Sequence, residues 1–387
     1  MNPAPTEPVD TAYWVSEHDV ASVLDLGDTV EALREGFAQE ARGEAAELEK
    51  TMLGYGDHAT LHALGAALSG AHLAGTKTWT HTPGGADPVL CMFDTRTGKL
   101  VACIEAFALG QLRTAGTAAV ATDLLAAPDA SVLAVIGTGK QALPQVAAVA
   151  LVRPLREVRA YSPSPEHREA FAARVSETLG IPCVAVASAG EAVTGASVVT
   201  LVTRATQPVL LDEMVVPGVH VNAVGAIDRA RREFEPRILA RCAAVVTDSL
   251  AQAMRLSSEL REHYGPVPDG PDALGGCDGP GGRDASGGGR GTWAHVRTLS
   301  AVLAAGGARR PDDVTLFKGM GSGIEDVALG TAVLRRLGIG PEAEAGRAAA
   351  GGQDRADRSG SSATTVSAIG RRGRAEVPLR PRSGSRP

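Results

Sequence analysis

Between residues 129 and 250 strand-like and helix-like segments alternate, which predicts an α/β fold with a Rossmann-like, doubly wound parallel sheet. Two further observations support that class. The β-branched apolar run SVLAVIG leads straight into Gly137-Thr138-Gly139-Lys140-Gln141-Ala142 and then into the apolar segment ALPQVAAVALV. Upstream, short apolar runs (LGAAL, VLCMFD, LVACIEAFAL) stand between Gly, Pro and Asp clusters, the pattern of a sheet built from hairpins.

The elements follow in order. TAYWVS reads as a short strand or loop, and Glu17 to about Arg42 as helix, with Asp19, Asp28 and Thr29 as candidate caps. The hairpin sheet is expected from Thr51 to Leu109, and a helix from about Gly110 to Ala127, closed by Pro128. Beyond the glycine turn, EVRAYS, CVAVAS, SVVTLVT, VHVNAVG and AAVVTDS read as strands, with PEHREAFAARVSETLG and AGEAVTGA as helices. Residues 264–291 are too rich in Gly, Pro and Asp to build a core and read as a disordered insertion. Residues 341–387 carry a charge of about +4 and low complexity, and read as a solvated disordered tail. WAHVRTLSAVLAAG and the segment from TLFKGMGSG to the long helix after it look ordered.

Composition narrows the function. The 387 residues are 44% hydrophobic but only 3% aromatic, so the cores are aliphatic and offer few stacking platforms. A net charge of −6 argues against a nucleic-acid partner. No apolar run reaches the ~20 residues a membrane span needs, and the acidic, Pro-rich N-terminus is no signal peptide. Five scattered cysteines without a CxxC pair suggest reduced thiols in a cytoplasmic protein and no metal site.

Three motifs carry chemistry. The Gly-x-Gly-x-x-Ala turn lets a backbone approach a pyrophosphate and aims helix N–H groups at it; alone it is also a plain strand-to-helix turn. An NAD site expects a carboxylate at the next strand end, yet Tyr161-Ser162-Pro163-Ser164 has none. Ser162, Ser164 and Arg168 suit a 2′-phosphate, which favours NADP(H) over NAD(H), though Ser164 is also a good helix N-cap. Lys77 ends an apolar run and Arg113 begins a helix. A buried lysine can exchange a proton with an amine or imine, and an arginine fork can hold a carboxylate. On spacing alone both also read as surface cations.

Together these segments resemble the ornithine cyclodeaminase/μ-crystallin family. GTKTW is similar to its substrate-lysine segment, LRTAGTAAVATDLLA to its RTAA helix and VIGTGKQA to its dinucleotide loop. TLVTRATQPVL, VNAVGAIDRARREFEP and TLFKGMGSGIEDVA match its later motifs, and the likeness spans about 11–338. The resemblance implies a substrate and dimerisation domain made from 11–128 and 292–340, around a dinucleotide-binding domain at 129–250. It implies a homodimer acting on the C–N bond of a small α-amino or α-imino acid. Lys77 would do acid/base work, Arg113 would grip the carboxylate, and Thr114, Thr203, Asn222, Val224 and Gly225 would line the nicotinamide side.

The chain departs from the family pattern at three places. Lys50 stands where the first substrate arginine falls, replacing a planar fork with a point charge. Ile227 stands where cyclodeaminases carry an aspartate, with Asp228 next to it. The Gly-rich insertion is the third. Cyclodeamination needs a well-placed carboxylate, so the residues favour an imine reductase or amino-acid dehydrogenase. A cyclodeaminase is the runner-up, followed by a non-catalytic, crystallin-like dinucleotide binder.

Overall fold

The structure, a computed structural model, describes residues 12–56, 58–266, 292–307 and 309–341. The expected insertion and tail lie outside these residues, apart from 264–266 and 341. Two sheets form the frame. The first is six-stranded, in the order β1-β6-β5-β4-β3-β2. Its strands are β1 Tyr13–Val15, β2 Ala45–Tyr55, β3 Ala59–Leu68, β4 Leu73–His81, β5 Val89–Asp94 and β6 Leu100–Glu105.

Strands β2 to β6 pair antiparallel and β1 joins parallel to β6. Register places Val15, Ile104, Leu90, Lys77 and Leu64 in one row, and all five are buried. Because side chains alternate across a strand, that row defines the inner face. The outer face exposes Trp14, Leu53, Leu61 and Phe93. The sheet starts at Ala45, six residues before the expected Thr51.

The helical segment is two helices, α1 Glu17–Val23 and α2 Leu26–Ala41. Asp19 and Asp28 close capping boxes from the third position, while the N-caps themselves are Ser16 and Asp25. Thr29 is buried inside α2 and is no cap. Helix α3, Phe107–Leu125, begins earlier than Gly110 for a nonlocal reason. The Glu17 carboxylate accepts from the N–H groups of Phe107 at 2.6 Å and Ala108 at 2.8 Å, capping the helix from 90 residues away.

The second sheet is eight-stranded and parallel, in the order β13-β12-β14-β11-β10-β7-β8-β9. It comprises β7 Val132–Ile136, β8 Glu157–Tyr161, β9 Cys183–Ala185, β10 Val198–Leu201, β11 His220–Ala223, β12 Cys242–Thr247, β13 Val296–Thr298 and β14 Val314–Lys318. Its order reverses between β7 and β10, the position where such sheets open a ligand crevice. Six helices complete the described chain after β7: α4 Ala142–Val152, α5 Pro165–Leu179, α6 Ala189–Val193, α7 Leu250–Leu256, α8 Ser258–Tyr264 and α9 Leu299–Ala304. A seventh, α10 Gly323–Leu337, is the last.

This topology corrects one boundary. Closing the dinucleotide sheet at 250 leaves out β13 and β14, and β14 is inserted between β11 and β12. Residues 292–340 therefore serve both sheets. Strand β14 is central to the parallel one, and α10 crosses to pack on β3 and β4. Gly323 makes that crossing possible, since a Cβ there would lie 1.9 Å from the Gly65 carbonyl oxygen. Across the described residues no helix is long and apolar enough to span a membrane.

Candidate active site

Lys77 lies in the buried inner row of the six-stranded sheet, 4% exposed. Its Nζ donates to Asp326 Oδ1 at 2.5 Å. Burial pushes the amine's pKa down, and the Asp326 charge opposes that shift. Asp326 and Glu325 occupy the first turn of α10, where the helix dipole favours negative charge, and both are fully buried.

Arg113 reaches the same pair from α3. Its Nη1 donates to Glu325 Oε2 at 2.8 Å, and its Nε lies 3.9 Å from Asp326 Oδ1. Burial works against the guanidinium charge, but Glu325 and Asp326 outweigh it and raise the pKa further. Burial also lifts Glu325 well above the ordinary carboxyl range, Arg113 opposing and Asp248 and Asp326 adding to the shift.

A supporting layer fixes α10. Asp248, past the end of β12, accepts from the N–H groups of Met320 and Gly321, each at 2.8 Å. Glu47 of β2 accepts from Gly323 N at 3.0 Å and Ser249 Oγ at 2.9 Å. These bonds hold the helix start, and with it Glu325 and Asp326, against Arg113 and Lys77.

Lys50 faces the same cluster from β2, at a bulge between Leu48 and Thr51. Among the described residues its Nζ makes no hydrogen bond or ion pair. Burial, then the charges of Arg113 and Lys77, lower its pKa to about 8, with Asp228 opposing. Asp228 itself sits at the rim, its side chain 44% exposed and 3.4 Å from Arg231 Nε. Its Oδ1 accepts from Ala230 N at 2.9 Å. The structure thus joins Lys77 and Arg113 through Asp326 and Glu325, and leaves both Lys50 and Asp228 outside that bonding network.

The glycine turn fits a dinucleotide. Gly137 has φ +105°, and a Cβ there would lie 2.6 Å from the Val202 carbonyl oxygen beyond β10, so only glycine fits. Around Gly139 the space is open, and no side chain caps α4 at Gln141. Ala142 N already donates to the Gly139 carbonyl at 3.1 Å and Pro144 has no N–H, so a pyrophosphate here would be met by the backbone of the turn itself more than by the first turn of α4. Thr138 Oγ1 donates to Ser162 Oγ at 3.1 Å, and Arg168 Nη1 donates to the Ser162 carbonyl at 3.1 Å. Ser164 caps α5 through His167 N at 3.2 Å. Lys140 is exposed, its Nζ 5.4 Å from the centre of the Phe107 ring on α3.

The remaining predicted residues divide. Thr114 ties α3 to α4, its carbonyl accepting from Gln145 Nε2 at 3.1 Å. Thr203 and Gly225 lie past β10 and β11, beside Val224, and the buried Glu233 joins them. Its carboxylate accepts from Thr203 N at 2.6 Å and Gly225 N at 2.7 Å. Asn222 does not line the cleft. It is fully buried, donating to Thr122 Oγ1 at 2.8 Å beneath the sheet. A side chain inside a strand points to a sheet face, whereas the crevice opens beyond the strand end.

Glu325, Asp326, Asp248, Glu47 and Glu233 carry no predicted role from sequence. One signal was available for the first two. Adjacent acids inside the apolar segment GIEDVALG, just after a serine cap, are positioned to be buried at a helix start.

A parallel sheet with a glycine turn at its switch point, together with a second sheet whose buried Lys77 shares the acids of α10 with Arg113 of α3, makes an α/β fold of the Rossmann-like class. The chain belongs to the ornithine cyclodeaminase/mu-crystallin family, whose profile matches residues 12–338. It is 28% identical to the iminosuccinate reductase of Paracoccus denitrificans over 342 residues, covering 85% of this chain and 99% of that protein. The solved structure of that reductase with NAD+ superimposes with a TM-score of 0.73 and 27% identity, over 84% of this chain and 96% of that one. The mouse ketimine reductase mu-crystallin is 36% identical over 169 residues, which is 44% of this chain and about half (52%) of that protein.

Proposed function

We propose that this protein is an NAD(P)-dependent oxidoreductase acting on the C–N bond of a small α-amino or α-imino acid, working as an imine reductase. The observation that carries the reading is the buried Lys77 with the half-buried Arg113, the arginine standing on α3, which packs against the helix that leads from the glycine turn. The turn at Gly137–Gly139 would hold a nicotinamide dinucleotide, which would supply the hydride for the imine carbon. Lys77, its pKa lowered by burial, gives a proton to the imine nitrogen, so one C=N bond becomes a C–N bond with one new C–H and one new N–H. Arg113 holds the substrate carboxylate and Lys50 adds a second positive charge.

NADP(H) is the favoured cofactor, because the second strand ends in Ser162 with Arg168 beside it and no carboxylate. The apolar outer face of the six-stranded sheet, with Trp14 62% and Leu53 62% exposed, supports a homodimer closed through that sheet. A cytoplasmic setting fits the four unpaired cysteines found among the described residues.

The test is an incubation of purified protein with NADPH or NADH and cyclic or acyclic α-imino acids, followed at the nicotinamide absorbance. Imine-dependent oxidation of the cofactor is expected. Ornithine with catalytic NAD(P) should give no proline and ammonia, because Ile227 presents no carboxylate and Asp228 turns to Arg231. Proline formation that disappears in Asp228→Asn would instead make the protein a cyclodeaminase.

A further inference from the structure

Two stretches of the parallel sheet's edge differ in what they offer a ligand. At the turn after β7 the space around Gly139 is open, and the turn's own backbone suits an anion. Past β10 and β11 the backbone is already engaged. The N–H groups of Thr203, Gly225 and Ala226 all donate to the fully buried carboxylate of Glu233, at 2.6, 2.7 and 3.0 Å. Thr203 Oγ1 adds a fourth donor at 2.9 Å. Four donors on two oxygens suit the ionised acid, which is acceptor only. Gly225 is required for this approach, because a Cβ there would lie 2.4 Å from Glu233 Oε1.

Glu233 is itself fixed by its backbone. Its carbonyl accepts from Val209 N at 2.9 Å and Leu210 N at 3.0 Å, and its N–H donates to Glu259 Oε1 at 3.0 Å. Glu259 is also fully buried, with Lys318 Nζ 3.6 Å from that oxygen. Lys318, the last residue of β14, donates to the Ala226 carbonyl at 2.6 Å. Two buried acids against one buried ammonium leave one negative charge over. A buried charge without a counter-ion is costly, and a cationic ligand group would offset that cost.

Strand order says which part of a dinucleotide meets this charge. With the pyrophosphate at the turn after β7 and the adenosine ribose at Ser162 after β8, the nicotinamide end extends the other way, over β10 and β11. Arg113 stands on that side too, since a Cβ on Gly321, past the neighbouring β14, would lie 2.6 Å from its Nη1. The nicotinamide ring is cationic when oxidised and neutral when reduced. We propose that Glu233 tunes this cofactor, its buried charge behind Thr203 and Gly225 favouring the oxidised ring and so strengthening hydride donation. This rests on the imine-reductase reading and gives a role to an acid that reading leaves unused. Glu233 acts through the backbone it holds and through its charge, so it is a positioning residue.

The experiment is a set of calorimetric titrations with NADP+ and NADPH, and with NAD+ and NADH in parallel. Glu233→Gln keeps the side chain's length and removes its charge, so the oxidised form should weaken relative to the reduced form by about fivefold. A merely structural role would weaken both forms alike. Glu233→Asp keeps the charge and should keep the ratio of the two affinities, even where both fall. Glu259→Gln neutralises the acid behind Glu233 and should move the ratio the same way by a smaller factor, which decides the matter if Glu233→Gln does not fold. A ratio that stays put in the folded Gln variants, or moves toward the oxidised form, overturns the proposal and leaves the reductase reading standing. An unaltered protein that binds none of the four nucleotides overturns both.

Discussion

In the eight-stranded sheet the residues assigned to the cofactor, Asn222 aside, lie past strand ends or in the turn and helix start that follow. Backbone does much of the work there. The six-stranded sheet is arranged the other way. Lys77 and Lys50 sit within strands, and the Lys77 charge is met by Asp326 of α10, from the far end of the chain. The first arrangement places its candidate cofactor residues by where the chain turns. The second positions charge by what is packed over it, so its energetics depend on contacts more than 200 residues apart, such as Lys77–Asp326. Breaking one half should therefore leave the other working.

The largest effect is expected at Lys77. Lys77→Met should lower kcat by about 10²–10⁴-fold, the usual contribution of a positioned acid/base. NADPH affinity, measured by fluorescence titration, should change by less than about twofold, because the glycine turn belongs to the other sheet. A parallel loss of cofactor binding would mean that the two halves are coupled. A wild-type kcat would remove Lys77 from the chemistry.

Next comes the clamp. Arg113→Ala should cost about 2–5 kcal/mol in kcat/KM, since it also strands the buried Glu325 without its cation. Lys50→Ala should cost less, because among the described residues its amine has no hydrogen-bond or ion-pair partner to strand. Equal losses at the two positions would show that the carboxylate is held elsewhere.

The same contrast explains what the sequence disclosed. Gly137 and its turn were legible because a positive φ and a close approach demand glycine, and the flanking strand and helix are local. The start of α3 was misplaced because its cap, Glu17, belongs to another helix. Strand β14 went unread, its segment reading as a turn before the last helix and outside the dinucleotide domain, because parallel pairing leaves no hairpin turn to read. Asn222 was read from its motif alone, and the motif does not say which way a strand residue faces. Lys77 and Arg113 were found through family resemblance, while the acids that hold them passed unread because their partners are distant in sequence.

A smaller effect is expected at the cofactor's ribose. Ser162 is 8% exposed and its hydroxyl is engaged by Thr138, so an added carboxylate must sit at the cleft edge. Ser162→Asp should shift the NADPH-to-NADH affinity ratio toward NADH by about tenfold, or ~1.4 kcal/mol. Paired titrations check it. Tighter NADH binding by the unaltered protein, or a ratio unmoved by the substitution, would remove Ser162 from cofactor selection.

The smallest effect is on pH dependence, and it bears on the six-stranded sheet alone. Burial and the neighbouring cations bring the Lys50 amine down to about 8 from its ordinary 10.5. Below that value Lys50 is charged and attracts a carboxylate; above it the charge, and the attraction, are lost. The inhibition constant of a competitive carboxylate should therefore rise by roughly a few-fold between about pH 7 and pH 9. A competitive carboxylate is the better probe than turnover, because its binding requires no proton transfer by Lys77. Lys50→Arg keeps its charge throughout this window, so its inhibition constant should stay flat where that of the unaltered protein climbs. A rise that persists in Lys50→Arg would show that a group other than Lys50 sets the pH dependence. An unaltered protein whose inhibition constant stays level to pH 9 would show that Lys50 does not face the bound carboxylate.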